Sequence, residues 1–242
     1  MRNIKLTVEY DGTAFSGWQA QRDLRTVQGE IEAKLRHLFG EELKVRGAGR
    51  TDAGCHAVGQ VANFHTQSAL PPDRIMRALN DLLEKDVRIK RAEEVGLDFD
   101  ARRSAKRRVY EYIIVRGSSA LWRRNAWCVP YEFDVTEMDL ASKTLEGTLD
   151  FSSFVSSGSS PRSHVTQVFS TKWRKWKSGA IFRIEARSFL RGMVCNIVGT
   201  CMQIGRGKLG RERMRLILDA KKRELGGPKA PTHGLYLLEV LY

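Results

Sequence analysis

One aspartate, Asp52, stands in the segment Gly49-Arg50-Thr51-Asp52-Ala53-Gly54-Cys55-His56-Ala57, framed by glycines on both sides. Glycine lets a loop turn steeply and lets a ligand come close to the backbone. A carboxylate presented in this way can act as a nucleophile or accept a proton. Arg50, two positions earlier, can hold a phosphate or keep the carboxylate ionised. A plainer reading is an aspartate that caps its own turn. Cys55-His56 spells a nucleophile and a base. Neighbours on an extended segment point to opposite faces, however, so no dyad is expected. The four cysteines, Cys55, Cys128, Cys195 and Cys201, include no Cys-x-x-Cys pair, which argues against a disulfide framework or a zinc site. Gly205-Arg206-Gly207-Lys208-Leu209-Gly210 spells a dinucleotide fingerprint, but it follows a helix-period run rather than a strand. It is expected to be a loop that ends a helix.

The chain has 242 residues and a net charge of +13, from 41 Lys and Arg against 28 Asp and Glu. Hydrophobic residues make up 42% and charged residues 29%, enough apolar surface for a packed fold and against a disordered chain. No apolar run approaches the roughly 18 residues of a membrane span. Met1-Arg2-Asn3-Ile4-Lys5 leads straight into strand pattern with no apolar signal region, so a cytoplasmic protein is expected.

The excess charge favours a polyanion, nucleic acid first and an anionic membrane surface second; a merely solvated basic surface is the alternative. The cations are clustered. Arg102, Arg103, Lys106, Arg107 and Arg108 precede the strand-like run Val109-Tyr110-Glu111-Tyr112-Ile113-Ile114-Val115. Arg206, Lys208, Arg211, Arg213 and Arg215 lead to Lys221-Lys222-Arg223, and Lys172-Trp173-Arg174-Lys175-Trp176-Lys177 interleaves cations with aromatic rings. Lys and Arg supply nucleic-acid affinity by neutralising phosphates.

Periodicity gives the elements that must position these groups. Ile4, Leu6, Val8 and Tyr10 alternate as a half-buried strand, which ends at the turn Asp11-Gly12-Thr13. Val27, Ile31, Leu35 and Leu38 recur at helical spacing after Thr26. Leu43 to Arg46 and His56 to His65 read as strands, and Pro71-Pro72-Asp73 opens a helix that carries Ile75, Leu79 and Leu82. Val87 to Ile89 returns to strand. A second cycle runs from the strand Val109–Val115 through a loop around Pro130 to a helix near Thr136–Leu145. A hairpin follows around Ser178-Gly179, flanked by Trp173 and Ile181–Ala186. Next come an apolar helix from Phe189 to Ile204, a helix with Met214, Ile217 and Leu218 inward, and a closing strand Tyr236–Tyr242. The fold class expected is mixed α/β, with two α/β domains. The first, over residues 1–104, carries the aspartate loop; the second, over 105–242, carries Tyr110 and the basic helices.

Gly-Arg-Thr-Asp-Ala-Gly, with Tyr10-Asp11-Gly12-Thr13 and Thr26-Val27-Gln28-Gly29, resembles the TruA family of tRNA pseudouridine synthases. The resemblance runs nearly the whole chain, through Phe99-Asp100-Ala101-Arg102, Arg108-Val109-Tyr110-Glu111-Tyr112, Asp150-Phe151-Ser152-Ser153-Phe154, Ser188-Phe189-Leu190-Arg191-Gly192-Met193-Val194 and Ala230-Pro231-Thr232-His233-Gly234-Leu235. It implies the pseudouridine synthase fold, with two similar α/β domains and a cleft between them. It implies conversion of uridine to pseudouridine at positions 38, 39 and 40 of tRNA, by a homodimer without metal or organic cofactor. The catalytic role falls on Asp52, and stacking on the target uracil falls on Tyr110. Tyr110 also reads as plain core, sharing its strand face with Tyr112.

The usual family pattern in the long C-terminal helix is Phe-Leu-x-x-Met-Val-Arg, whose arginine pairs with the catalytic aspartate. Here Met193-Val194 is followed by Cys195, a thiol without permanent charge. Arg191, four residues earlier and expected on the same helix face, is the first candidate substitute and is otherwise a phosphate contact of the substrate; Arg187 and Arg50 are lesser ones. Two smaller departures accompany it, Cys55 in place of valine and Leu149 in place of histidine. The alternative to an active enzyme is therefore a catalytically impaired RNA-binding homologue. A DNA-binding regulator fits the charge but has no helix-turn-helix pattern.

Overall fold

The structure, a computed structural model, describes residues 1–156, 158 and 163–242. It divides into two compact units, one of residues 1–106 with 236–242 and one of 107–235. Both mix strands and helices, as the sequence leads one to expect. The first unit differs from the boundary expected at residue 104 chiefly by taking in the closing strand.

In the first unit the chain forms β1 (Arg2–Tyr10), α1 (Val27–Phe39), β2 (Arg46–Gly47), β3 (His56–Thr66), α2 (Pro72–Leu82) and β4 (Val87–Val95). β1 buries Ile4, Leu6, Val8 and Tyr10, the alternation read from sequence. It pairs antiparallel with β3 on one side and β4 on the other. α1 starts where Thr26 accepts the Gly29 N–H (3.3 Å) and ends at Gly40, whose N–H reaches the Arg36 carbonyl (2.9 Å). Its buried face is Val27, Ile31 and Leu35. α2 has proline in its first turn and buries Ile75 and Leu79. The strand expected from Leu43 reduces to Arg46–Gly47, because only these two residues pair with β3.

Residues that lead out of this unit are pinned by a buried amide network. The Asn3 side-chain amide donates to the carbonyls of Gly96 (2.9 Å) and Phe99 (2.8 Å). Asn63 donates to the Asn3 side-chain oxygen (2.9 Å) and accepts the Ala101 N–H (2.9 Å). Both asparagines are fully buried, and both spend their hydrogen bonds inside the unit.

The second unit contains β5 (Arg107–Arg116), β6 (Trp127–Val129), α3 (Val135–Lys143), β7 (Gly147–Asp150), β8 (Val165–Trp176), β9 (Gly179–Ala186), α4 (Met193–Gly205) and α5 (Arg213–Ala220). Its strands run in the order β5-β9-β8-β7, with β6 parallel to β5. The hairpin turn is Lys177-Ser178, since Trp176 pairs with Gly179. Lys177 takes the positive φ of 50° that a two-residue hairpin turn requires. β8 is much longer than the single residue Trp173 suggests. Its buried residues are Thr166, Val168, Thr171 and Trp173, and a bulge between Val168 and Ser170 shifts the alternation midway.

α4 begins at Met193, four residues later than periodicity indicates. Ser156 N–H occupies the Arg191 carbonyl (2.9 Å), and Gly192 turns left-handed (φ 70°) ahead of the helix. Every α4 residue except Gln203 is buried. The helix closes at Gly205, so the Gly205–Gly210 segment is the expected helix-ending loop.

The chain then returns to the first unit as β10 (Leu235–Leu241), which pairs parallel with β3 at Tyr236↔His56 and Leu237↔Ala57. β3 is therefore interior, flanked by β1 along its length and by β10 and β2 in turn, and its alternation is impure, with residues 60–64 all buried.

Candidate active site

Asp52 lies in the loop between β2 and β3, half-buried rather than walled off from solvent. The loop is fastened on both sides of the carboxylate. Thr51 gives its carbonyl to the Trp18 N–H (3.1 Å) and its hydroxyl to a 2.7 Å hydrogen bond with the Tyr10 hydroxyl. The Cys55 N–H closes the turn onto the Asp52 carbonyl (3.1 Å), and the Gly54 N–H reaches the Phe15 carbonyl (3.3 Å). Gly54 holds φ at 76°, a left-handed conformation that a side chain would strain.

The segment beneath the loop explains the Tyr10-Asp11-Gly12-Thr13 motif. Asp11 accepts the Thr13 N–H (3.0 Å) and hydroxyl (2.6 Å), shaping a tight turn. Gly12 then passes so close to the loop that an added Cβ would sit 2.0 Å from the Cys55 carbonyl oxygen. Its N–H donates to His56 Nδ1 (3.1 Å), and the His56 ring stacks on Tyr236 (4.8 Å between centroids). Arg25 clamps the far side. Its guanidinium binds Asp86 at 2.6 and 3.0 Å and Glu30 at 3.0 Å, and lies over the Phe15 ring at 4.2 Å. The Asp86 hydrogen bonds, with those from Glu30, outweigh burial and hold the Arg25 pKa above its ordinary value.

The Cys55-His56 pair forms no dyad. The Cys55 thiol is buried and donates to the His56 backbone carbonyl (3.5 Å), while the imidazole faces Gly12 and Tyr236. Arg50 is exposed and has no ion pair among the described residues, so it is available to an anionic ligand.

Tyr110 sits in β5 of the second unit, opposite Ile184. It is buried, with its ring edge-on to Phe189 (4.8 Å, 74°). Tyr112, on the same face, is core, and its hydroxyl donates to the Pro231 carbonyl (2.7 Å). Arg191 is exposed, in the turn before α4, whereas Cys195 is buried inside the helix. The two do not share a helix face, which corrects the reading drawn from their four-residue spacing. Arg187 is also exposed, and its carbonyl accepts from Arg108 (2.7 Å). Among the described residues no three His, Cys, Asp or Glu side chains group to hold a metal ion.

The basic clusters are thinner than their sequences. Arg108 is buried, and Arg107, though exposed, pairs with Glu185 (2.8 Å) and lies over Phe169 (4.3 Å); Arg102, Arg103 and Lys106 are also exposed. In the C-terminal cluster Arg211 pairs with Glu137, Arg215 with Asp219 and Lys221 with Asp150. Missed from sequence were Tyr10 as the partner of Thr51 and Arg25 as the clamp under Phe15. No local pattern marks contacts between residues so far apart.

The tRNA pseudouridine synthase family model matches residues 6–102 and 141–242. A tRNA pseudouridine synthase A of Acetivibrio thermocellus is 43% identical over 244 residues, covering 100% of both chains. Proteins of the same name from Caldicellulosiruptor bescii and Thermosipho melanesiensis are 42% and 40% identical, again over 100% of both chains. With the family model matching most of the chain and relatives matching its sequence over the full length, the chain belongs to the tRNA pseudouridine synthases, a family of isomerases.

Proposed function

We propose that the protein isomerises uridine to pseudouridine at positions 38, 39 and 40 in the anticodon stem-loop of tRNA, with Asp52 as the catalytic residue. Tyr110 stacks on the target uracil, and Arg50 and Arg191 contact the substrate. Asp52 comes from the first of two domains, Tyr110 and Arg191 from the second. The protein works in the cytoplasm as a homodimer. The dimer and the tRNA positions rest on the family resemblance. No helix among the described residues is long and apolar enough to cross a membrane.

The observation that carries this reading is the half-buried Asp52 in a loop tied down on both flanks. The reaction breaks the C1′–N1 bond, turns the uracil and forms a C1′–C5 bond. N1 gains a proton and C5 gives one to water, so nothing is oxidised and no group donor is consumed. A carboxylate serves it as a nucleophile toward the sugar or the base, or as a base for a sugar proton. Both routes need an ionised group held in a fixed place. The base must leave its stack to be reached, and an aromatic ring is a suitable rest for it.

The test is release of tritium from uracil C5 in tRNA. Asp52→Asn is expected to abolish release, by about 10³-fold or more, while tRNA affinity stays within about twofold. Undiminished release by that variant overturns the assignment of Asp52.

A further inference from the structure

The run Lys172–Lys177 separates into two parts in the fold. Trp173 is core, stacked on Phe182 (4.7 Å), and Lys172 is held by Asp139 (2.7 Å). The remainder lies at the surface. Trp176 is half-buried and meets Trp122 edge to face at 5.1 Å and 89°. The Lys177 ammonium lies over both rings, 5.2 Å from Trp122 and 4.8 Å from Trp176. Two indole faces thus fix an ammonium that hairpin-tip flexibility would otherwise leave loose. Arg174 shares the strand face of Trp176, and Arg123 follows Trp122. Arg174, Lys175, Lys177 and Arg123 are all exposed, and Leu121 beside them is 86% exposed.

Charge complementarity selects the partner. No Asp or Glu occurs in residues 112–131 or 163–184, the segments that supply this surface. The nearby acids are already engaged, Glu132 by Arg116 and Glu111 by Arg183. Cations grouped around indole rings without carboxylates fit a sugar-phosphate backbone with unpaired bases. The position is also defined. Trp176 pairs with Gly179, five residues along β9 from the Ile184 that faces Tyr110. At roughly 3.3 Å per residue this is about 17 Å along the sheet.

We propose that Arg123, Arg174, Lys175 and Lys177, set around Trp122 and Trp176, form a second RNA-contact surface that grips the substrate backbone away from the reacting uridine. The inference rests on the functional reading above for the identity of the RNA. The surface contributes affinity and leaves the chemical step alone.

The experiment measures tRNA affinity by filter binding across a salt series, together with KM and kcat for tritium release. Arg174→Gln/Lys177→Gln is expected to weaken tRNA binding about tenfold near 0.1 M salt and to lower the log–log salt slope by about one to two. KM rises while kcat stays unchanged. Arg74→Gln/Arg77→Gln on α2 removes the same charge elsewhere and is expected to have a much smaller effect. Trp176→Phe keeps a ring under Lys177 and is expected to retain most of the affinity. Unchanged affinity and slope in the first variant overturn the proposal. So does an equal loss in both double variants, or a change in self-association on gel filtration with tRNA binding intact. Absence of tritium release by the unmodified protein defeats the functional reading instead, and the affinity comparison still decides the surface.

Discussion

The Tyr10 hydroxyl and Thr51 Oγ1 are 2.7 Å apart, both buried, on the residue next to Asp52. β1 is paired on both sides, by β3 and β4, so this bond ties the loop to a strand held from two directions. Tyr10→Phe keeps the ring and removes the bond. It is expected to cost about 1–2 kcal/mol of stability and leave the Thr51 hydroxyl without its partner. Because misplacement of a reacting group lowers the chemical step, kcat is expected to fall about tenfold with KM nearly constant. Thr51→Val should match it, and Thr51→Ser should restore most of the rate. Urea unfolding and single-turnover release of tritium check the two effects separately.

The amide network makes a second prediction. Asn63→Leu fits the volume but strands the Ala101 N–H and the Asn3 side-chain oxygen, both of which Asn63 serves. Two buried groups left unpaired are expected to cost about 3 kcal/mol. The loss should appear as a lower urea midpoint and as faster hydrogen exchange at the Ala101 amide.

Asp150 provides a pH-dependent prediction for the second unit. The Ser152 hydroxyl (2.6 Å), assisted by Lys221 (3.0 Å) and the Ser152 N–H (2.9 Å), outweighs burial and lowers its pKa from 3.8 to about 2. A lowered folded-state pKa stabilises the fold above the unfolded value and loses that contribution as pH falls through the folded value. Asp150→Asn is therefore expected to cost on the order of 2 kcal/mol near neutral pH, with the gap to the unmodified protein closing between about pH 4 and pH 2. Denaturant unfolding at several pH values measures it; a gap that stays constant with pH contradicts the assignment.

Elements with strong ends were legible. Thr26 and Gly40 bound α1 because a hydroxyl cap and a left-handed closing residue act locally. β6 and β7, at three and four residues, are too short for any periodicity to accumulate. β8 was hidden by its bulge, and the start of α4 by a hydrogen bond from Ser156, 35 positions from Arg191. At the candidate site, glycine spacing and family resemblance drew attention to Asp52. What holds it was not visible, since Tyr10 and Thr51 are 41 positions apart. The cation clusters were legible as charge but not as availability: Arg108 and Trp173 are both core, and only the fold separates them from their exposed neighbours.

The parallel pairing of β10 with β3 bears on how the protein is made. During translation the Asp52 loop and its supporting strands emerge early, yet His56 and Ala57, which start β3, gain their parallel partners only when Tyr236 and Leu237 arrive. The nascent chain must carry that unpaired end of the strand while more than a hundred further residues are added. Loss of β10 would thus damage the unit whose other strands are synthesised first.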